Sequence, residues 1–181
     1  AALKSRINKI MDASEGEFLK EAEKKRKRVY SDKNNGDIRS NGIKEAQKTL
    51  LSLSAYNDKI LKAVFDVVKP EDFQEGVYRR LAENIYMDSM EGRKSEPADM
   101  VSRFETLEEQ NTAAAVFAVK NKISDMNKLE KFLTENVRLL KKSRIDGLLA
   151  EAGTAEEIKS LIDLKRKTDE LNITIADSKQ Y

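Results

Sequence analysis

The chain has 181 residues, of which 36% are charged and 39% apolar, so it is long enough for one domain or for one domain with a small appendage. It contains no cysteine and no histidine, which excludes the usual zinc sites, disulfides, thiol chemistry and nucleophiles activated by histidine. The net charge of +2 is uneven, because residues 1–44 carry twelve basic and seven acidic side chains, and the net acidic remainder does not favour strong phosphate binding.

The composition favours helices and an intracellular location. Only two prolines and seven glycines occur, and most other residues are good helix formers. No apolar run approaches the ~20 residues that span a bilayer, and the absence of cysteine fits a reducing cytosol. We therefore expect an all-α protein, a soluble cytoplasmic fragment of a longer chain, since it opens on Ala1 without a signal peptide.

Residues 1–42 are predicted to be a basic leader or linker, the tail of a preceding region. Apolar residues at helical spacing lead into a basic run, and the polar stretch SDKNNGDIRSNG then predicts a boundary. The run is a weak candidate for nucleic-acid contact, although a basic run without interleaved aromatics is more typical of a solvated face. Its residues are Lys24, Lys25, Arg26, Lys27 and Arg28.

No motif in the chain predicts a cofactor, a metal or a catalytic residue. Asp32–Asp37 resembles the opening of a calcium loop, but its glycine falls one position early and Ile43 stands where the bidentate Glu belongs. A hydrophilic turn is the simpler interpretation. Glycine loops that cradle phosphates are absent from the sequence, and no carboxylate lies in a recognisably apolar context.

Residues 43–125 predict a helical bundle. Asn57 is a candidate N-cap, Pro70 ends the helix before it, Gly92 ends the next one, and Pro97 suits the first turn of a short helix. The small apolar centre of LEEQNTAAAVFAVKNKI predicts a fifth helix buried on most sides. The predicted core residues are Phe65, Phe73, Val77, Leu81, Ile85, Met100 and Phe104.

Residues 126–181 predict a long helix followed by a tight helical hairpin. The long helix spans Met126 to Ala152 without proline. Gly153 is expected in the left-handed conformation after it, and Thr154 with Glu157 forms a T-x-x-E capping box for the next helix. The second arm carries the apolar residues Ile158, Leu161, Ile162, Leu164, Leu171 and Ile175.

This hairpin carries more apolar side chains than two arms can bury. Leu148 and Leu149 are adjacent and thus ~100° apart around a helix. Burying one such side chain contributes ~1.5–3 kcal/mol, so leaving several exposed is costly. The hairpin therefore folds back on the bundle, meets a partner, or self-associates. The long proline-free helix favours a hairpin that projects toward a partner.

The stretch PEDFQEGVYRRLAENIYMDSMEGRKSEPADMVSRF, preceded by EAQKTLLSLSAYNDKILKAVF, resembles a known family. Its order of P-E-x-F, apolar pairs at helical spacing, E-G and D-x-[LVM]-[IV]-x-x-[LF] is similar to the C-terminal helical bundle of bacterial primases of the DnaG type. The N-terminal domain of their partner, the DnaB-type hexameric helicase, shares this pattern. The match covers approximately residues 43–123, and the primase family continues, as here, into a long Lys-rich helix and a terminal hairpin.

The resemblance implies a non-catalytic helicase-binding domain of a DNA primase, the polymerase that makes primers. Its partner is then the replicative hexameric helicase, and its place the replisome. Three alternatives stay open: the helicase's own N-terminal domain, a helical nucleic-acid-binding module, and a self-assembling bundle. Against the first, the stretch AQKTLLSLS lacks the Glu and the glycine that are usual in the first helix of the helicase domain. The expected docking residues are Leu148, Leu149, Lys159, Leu161, Ile162, Leu164, Lys165, Arg166 and Leu171.

Overall fold

The computed structural model describes residues 39–94, 96–119, 123 and 125–175. Its helices are α1 (39–56), α2 (Asp58–Phe65), α3 (Val77–Met90), α4 (Pro97–Ser102), α5 (Leu107–Phe117), α6 (Met126–Glu151) and α7 (Ala155–Thr168). A single 3-10 turn, Pro70–Asp72, joins α2 to α3, and the described residues contain no strand, which confirms the all-α prediction. The described residues from Ile43 onward belong to one compact unit.

Local sequence signals set the helix boundaries. The side chain of Asn57 accepts hydrogen bonds from the N–H groups of Lys59 and Ile60, so it is the predicted N-cap of α2. Gly92 follows the end of α3 with φ of 68°, a left-handed conformation that glycine adopts without a steric penalty. Pro97 is the first residue of α4. Proline has no N–H, but an N–H at this position has no partner within the helix, so no helical hydrogen bond is lost.

One hydrophobic core joins α1 to α6. Of the predicted core residues, five are buried, whereas Phe65 and Val77 are half-buried and pack against the cluster. The prediction for α5 was wrong: only one face of it is buried, through Ala113 and Val116, and Ala114 is exposed. The buried cluster contains Leu50, Leu51, Ala55, Ile60, Leu61, Val64, Val68, Phe73, Leu81, Ala82, Ile85, Met100, Phe104, Ala113, Val116, Leu133, Val137, Leu140, Ile173 and Ile175.

Helix α6 belongs to this core as well as to the hairpin. Leu133, Val137 and Leu140 on its first half are buried in the same cluster as the residues of α1 to α5. The sequence boundary at residues 125/126 thus separates two segments that share one core. Only the second half of α6, beyond Leu140, extends along α7 as the first arm of the hairpin.

The chain after α7 returns to the core as an extended segment, residues 171–175, which we call the strap. The Nε of Arg138 donates to the carbonyl oxygen of Leu171 (2.9 Å), and the N–H of Ile173 donates to the Oγ1 of Thr134 (2.9 Å). The N–H of Ile175 then donates to Glu130 Oε1 (2.7 Å).

These bonds advance two residues along the strap for every four residues back along α6. Two extended residues span ~6.6 Å and four helical residues ~6 Å, so the two repeats match. Side chains of the strap therefore alternate. Ile173 and Ile175 are buried in the core, while Asn172 and Thr174 are exposed.

Candidate docking surface on the helical hairpin

The turn between α6 and α7 is fixed by the predicted capping box. The Oγ1 of Thr154 accepts a hydrogen bond from the N–H of Glu157 (3.2 Å), and Glu157 Oε2 accepts from the N–H groups of Gly153 (3.0 Å) and Thr154 (3.2 Å). The backbone N–H of Gly153, followed by that of Thr154, lowers the pKa of Glu157. The left-handed conformation predicted for Gly153 was wrong, since the positive φ angles in the described chain belong to Gly76 and Gly92.

Ion pairs hold the two arms of the hairpin together. Lys165 on α7 pairs with Asp146 on α6, and Lys142 on α6 pairs with Asp169 just after α7. The hydrogen bond from Lys142 lowers the pKa of Asp169. Lys165 is therefore half-buried in an internal ion pair, not a free cation beside a docking surface as its predicted role required.

Helix α7 turns one side to α6 and leaves apolar side chains on both flanks. Thr168 is buried, and Leu161 is half-buried on the same side. Ile158 and Ile162, one helical turn apart, are 40% and 47% exposed on one flank, and Leu164 is 49% exposed on the other. The hairpin thus leaves three large aliphatic side chains in contact with water.

The expected docking residues divide into three groups. Ile162, Leu164, Lys159 and Arg166 are exposed, as a docking surface requires. Leu148, Leu149, Leu161 and Lys165 are half-buried. Leu171 was expected on α7, but α7 ends at Thr168, and Leu171 is the half-buried first residue of the strap.

The sequence prediction omitted one residue of this surface. Ile158 lies one turn before Ile162 and is 40% exposed, so the two form a short apolar stripe. The signal was present, because the spacing of four places both on one face. Ile175 was expected on the hairpin as well, but it is the last residue of the strap and is buried in the core.

The chemistry of this surface is that of apolar contact. Among the described residues, no group of His, Cys, Asp and Glu side chains could hold a metal ion. No helix in this part of the chain is long and apolar enough to cross a membrane. The basic run Lys24 to Arg28 and the stretch Asp32–Asp37 lie outside the described residues.

Comparisons with known proteins return no match: no family model, no curated protein and no solved structure resembles the chain significantly.

Proposed function

We propose that this chain is the helicase-binding domain of a bacterial DnaG-type primase. In this role it recruits primase to the replicative hexameric helicase and stimulates that helicase, in the cytoplasm at the replication fork. Primer synthesis itself belongs to another part of the parent protein. The proposal combines the sequence resemblance over residues 43–123 with one structural observation, the exposed apolar side chains of α7.

The proposed mechanism is docking of α7 against a helical surface of the helicase. Ile158 and Ile162 supply apolar anchors, and Lys159 and Arg166 border them with positive charge. The capping box and the pair between Lys165 and Asp146 order the hairpin before binding, so little conformational entropy is lost on association. In this proposal the bundle sets the direction of the hairpin through α6.

Ile162→Asp tests this proposal. Because Ile162 is 47% exposed, the change removes an apolar anchor without opening the core, and we expect binding to the hexameric helicase to weaken about 30-fold or more. Leu161→Asp is a less clean variant, since Leu161 is half-buried. The measurement is a titration of the full chain with the helicase, alongside circular dichroism.

Leu107→Asp is the matched control. It places the same charge on a 73% exposed aliphatic position of the bundle, at the start of α5, and helicase affinity should stay unchanged. A helicase without its N-terminal domain should not bind either form. If the folded Ile162→Asp variant binds the helicase normally, α7 is not the docking helix. If the chain binds single-stranded DNA with a steep salt dependence and does not bind the helicase, the nucleic-acid alternative is favoured.

A further inference from the structure

A groove of about 590 Å³ lies between α2 and the end of α3, far larger than one water and within the range of ligand sites. Leu61, Phe65, Tyr86 and Met90 line it with apolar surface. The rings of Phe65 and Tyr86 stack with their centroids 5.6 Å apart, so a packed aromatic pair forms part of the lining. Met90 is 72% exposed, and methionine adapts its shape to a partner.

Five charged side chains line this α2–α3 groove. Arg93, which pairs with Asp88 and Glu91, and Lys94 lie in the loop after α3. The other three lie along α2, and we call them the α2 rim. Asp58, Lys62 and Asp66 are four residues apart, line the groove and are exposed. Their order of charge is negative, positive, negative. No salt bridge found among the described residues involves any of the three.

Helix α7 carries the reverse order of charges beside its apolar stripe. Lys159, Asp163 and Arg166, which we call the α7 row, lie within ~60° of one another around the helix and are exposed. Arg166 reaches Asp163 at 4.0 Å, but their side chains are 76% and 53% exposed, so the pair contributes little. Ile158 and Ile162 lie next to this row on the same side of the helix.

The α2 rim and the α7 row match in charge and in spacing. Successive charges are ~6 and ~6 Å apart along α2, and ~6 and ~4.5 Å apart along α7. Because each order of charges reads the same in both directions, α7 fits the groove in either orientation. In its own chain α7 packs against α6, and the residues that line the groove belong to α1, α2, α3 and the loop after α3.

We propose that α7 of one copy docks into the α2–α3 groove of a second copy. Ile158 and Ile162 enter the apolar groove, and the α7 row pairs with the α2 rim of the partner. The two surfaces differ, so the contact is heterologous and builds rings or chains, unlike a symmetric dimer. The inference concerns the chain alone and does not depend on the helicase.

One consequence rests on the proposed function. The same face of α7 is assigned to the helicase, so self-association and helicase binding exclude each other. The helicase then dissociates the assembled chains by mass action.

Charge reversal on either surface tests the inference. Analytical ultracentrifugation of the full chain, from about 1 µM to about 1 mM, should show assembly that D58K/D66K weakens about tenfold or more. K159E/R166E should weaken it to a similar extent. An equimolar mixture of the two variants should associate again, because the reversed rim of one faces the reversed row of the other.

E105K/E135K is the matched control. It reverses two exposed acidic residues outside the groove and the hairpin, with the same change in net charge as D58K/D66K, and should leave assembly unchanged. The inference is overturned if the chain is a monomer at every concentration. It is also overturned if the charge-reversed variants assemble as well as the unsubstituted chain, or if their mixture fails to associate. D58K/D66K keeps α7 intact and should still bind the helicase. Helicase binding can therefore be measured in a variant that does not self-associate, and the two proposals can fail independently. Loss of helicase binding in D58K/D66K assigns the groove to the helicase and overturns this inference.

Discussion

Asp88 is a buried carboxylate that two arginines hold in place. It is 1% exposed on α3, and its Oδ1 accepts from Arg93 Nη2 (2.9 Å) while its Oδ2 accepts from Arg103 Nη2 (3.0 Å). Burial raises the pKa of Asp88, but the hydrogen bonds from Arg93 and Arg103 outweigh it, so the pKa lies below its ordinary value of 3.8. This carboxylate ties the loop after α3 and the end of α4 to the core.

Asp88→Asn should lower the free energy of unfolding at pH 7 by about 1–3 kcal/mol, because the buried site loses its charged hydrogen bonds. The folded pKa lies below the unfolded one, so the stabilisation is complete above the ordinary Asp value and disappears as pH falls through the folded value. Urea unfolding of both proteins between pH 7 and pH 2 measures the difference, which should shrink only at acid pH. Glu105→Gln, an exposed control, should show little effect, and a pH-independent difference contradicts the assignment.

Sequence reasoning missed Asp88 because a carboxylate in the core stripe of a helix looks like an interruption of that stripe. Its position did carry a signal: Leu81, Ile85 and Asp88 follow the buried spacing of α3. Its partners could not be found in the same way. Arg93 and Arg103 lie in the connection after α3 and at the end of α4, and the path of the chain brings them together.

At the scale of elements, helix starts were more predictable than the last helix end. Asn57 and the pair Thr154–Glu157 act within four residues, so the sequence alone identifies them as caps. The end of α7 was harder. Leu171 and Ile175 continue a spacing of four, while Ile173 and Ile175 also fit a strand-like spacing of two. Hydrogen bonds to Thr134 and Glu130 on α6 favour the extended conformation over the helical one, and these two residues lie about 40 residues earlier in the chain.

Ile173→Ala should lower the free energy of unfolding by about 2–4 kcal/mol, because Ile173 is 4% exposed and its loss leaves a cavity in the core. Thr174→Ala, one residue on and exposed, should change it by less than about 0.5 kcal/mol. Urea unfolding of the two variants measures this alternation. Equal effects at both positions would contradict the strap as described.

At the scale of the whole molecule, α6 connects the core to the proposed docking surface. The sequence predicted this helix almost to the residue, and five of the seven residues that it assigned to the core are buried, since both predictions depend on apolar spacing. It did not predict that Leu133, Val137 and Leu140 share the core of α1 to α5, because such contacts depend on how distant segments meet.

Gly147 is the point where α6 can be stiffened without altering any contact. It is exposed in the hairpin half of α6, and an added Cβ meets no atom within 4 Å. Gly147→Ala should therefore raise the free energy of unfolding by about 0.5–1 kcal/mol, because alanine favours the helix and restricts the unfolded chain. In this variant the amides of residues 148–168 should all exchange more slowly than in the unsubstituted chain, and to a similar extent, since the hairpin depends on this part of α6.

Gly76→Ala is the contrasting control, and it should destabilise the chain although its Cβ also meets open space. Gly76 has φ of 92°, a conformation that side chains rarely adopt, so alanine is strained there whatever room it has. Thermal unfolding of the two variants should shift in opposite directions. A lower melting temperature for Gly147→Ala would mean that the hairpin needs a flexible position in α6, and α6 would then not act as a rigid link between core and α7.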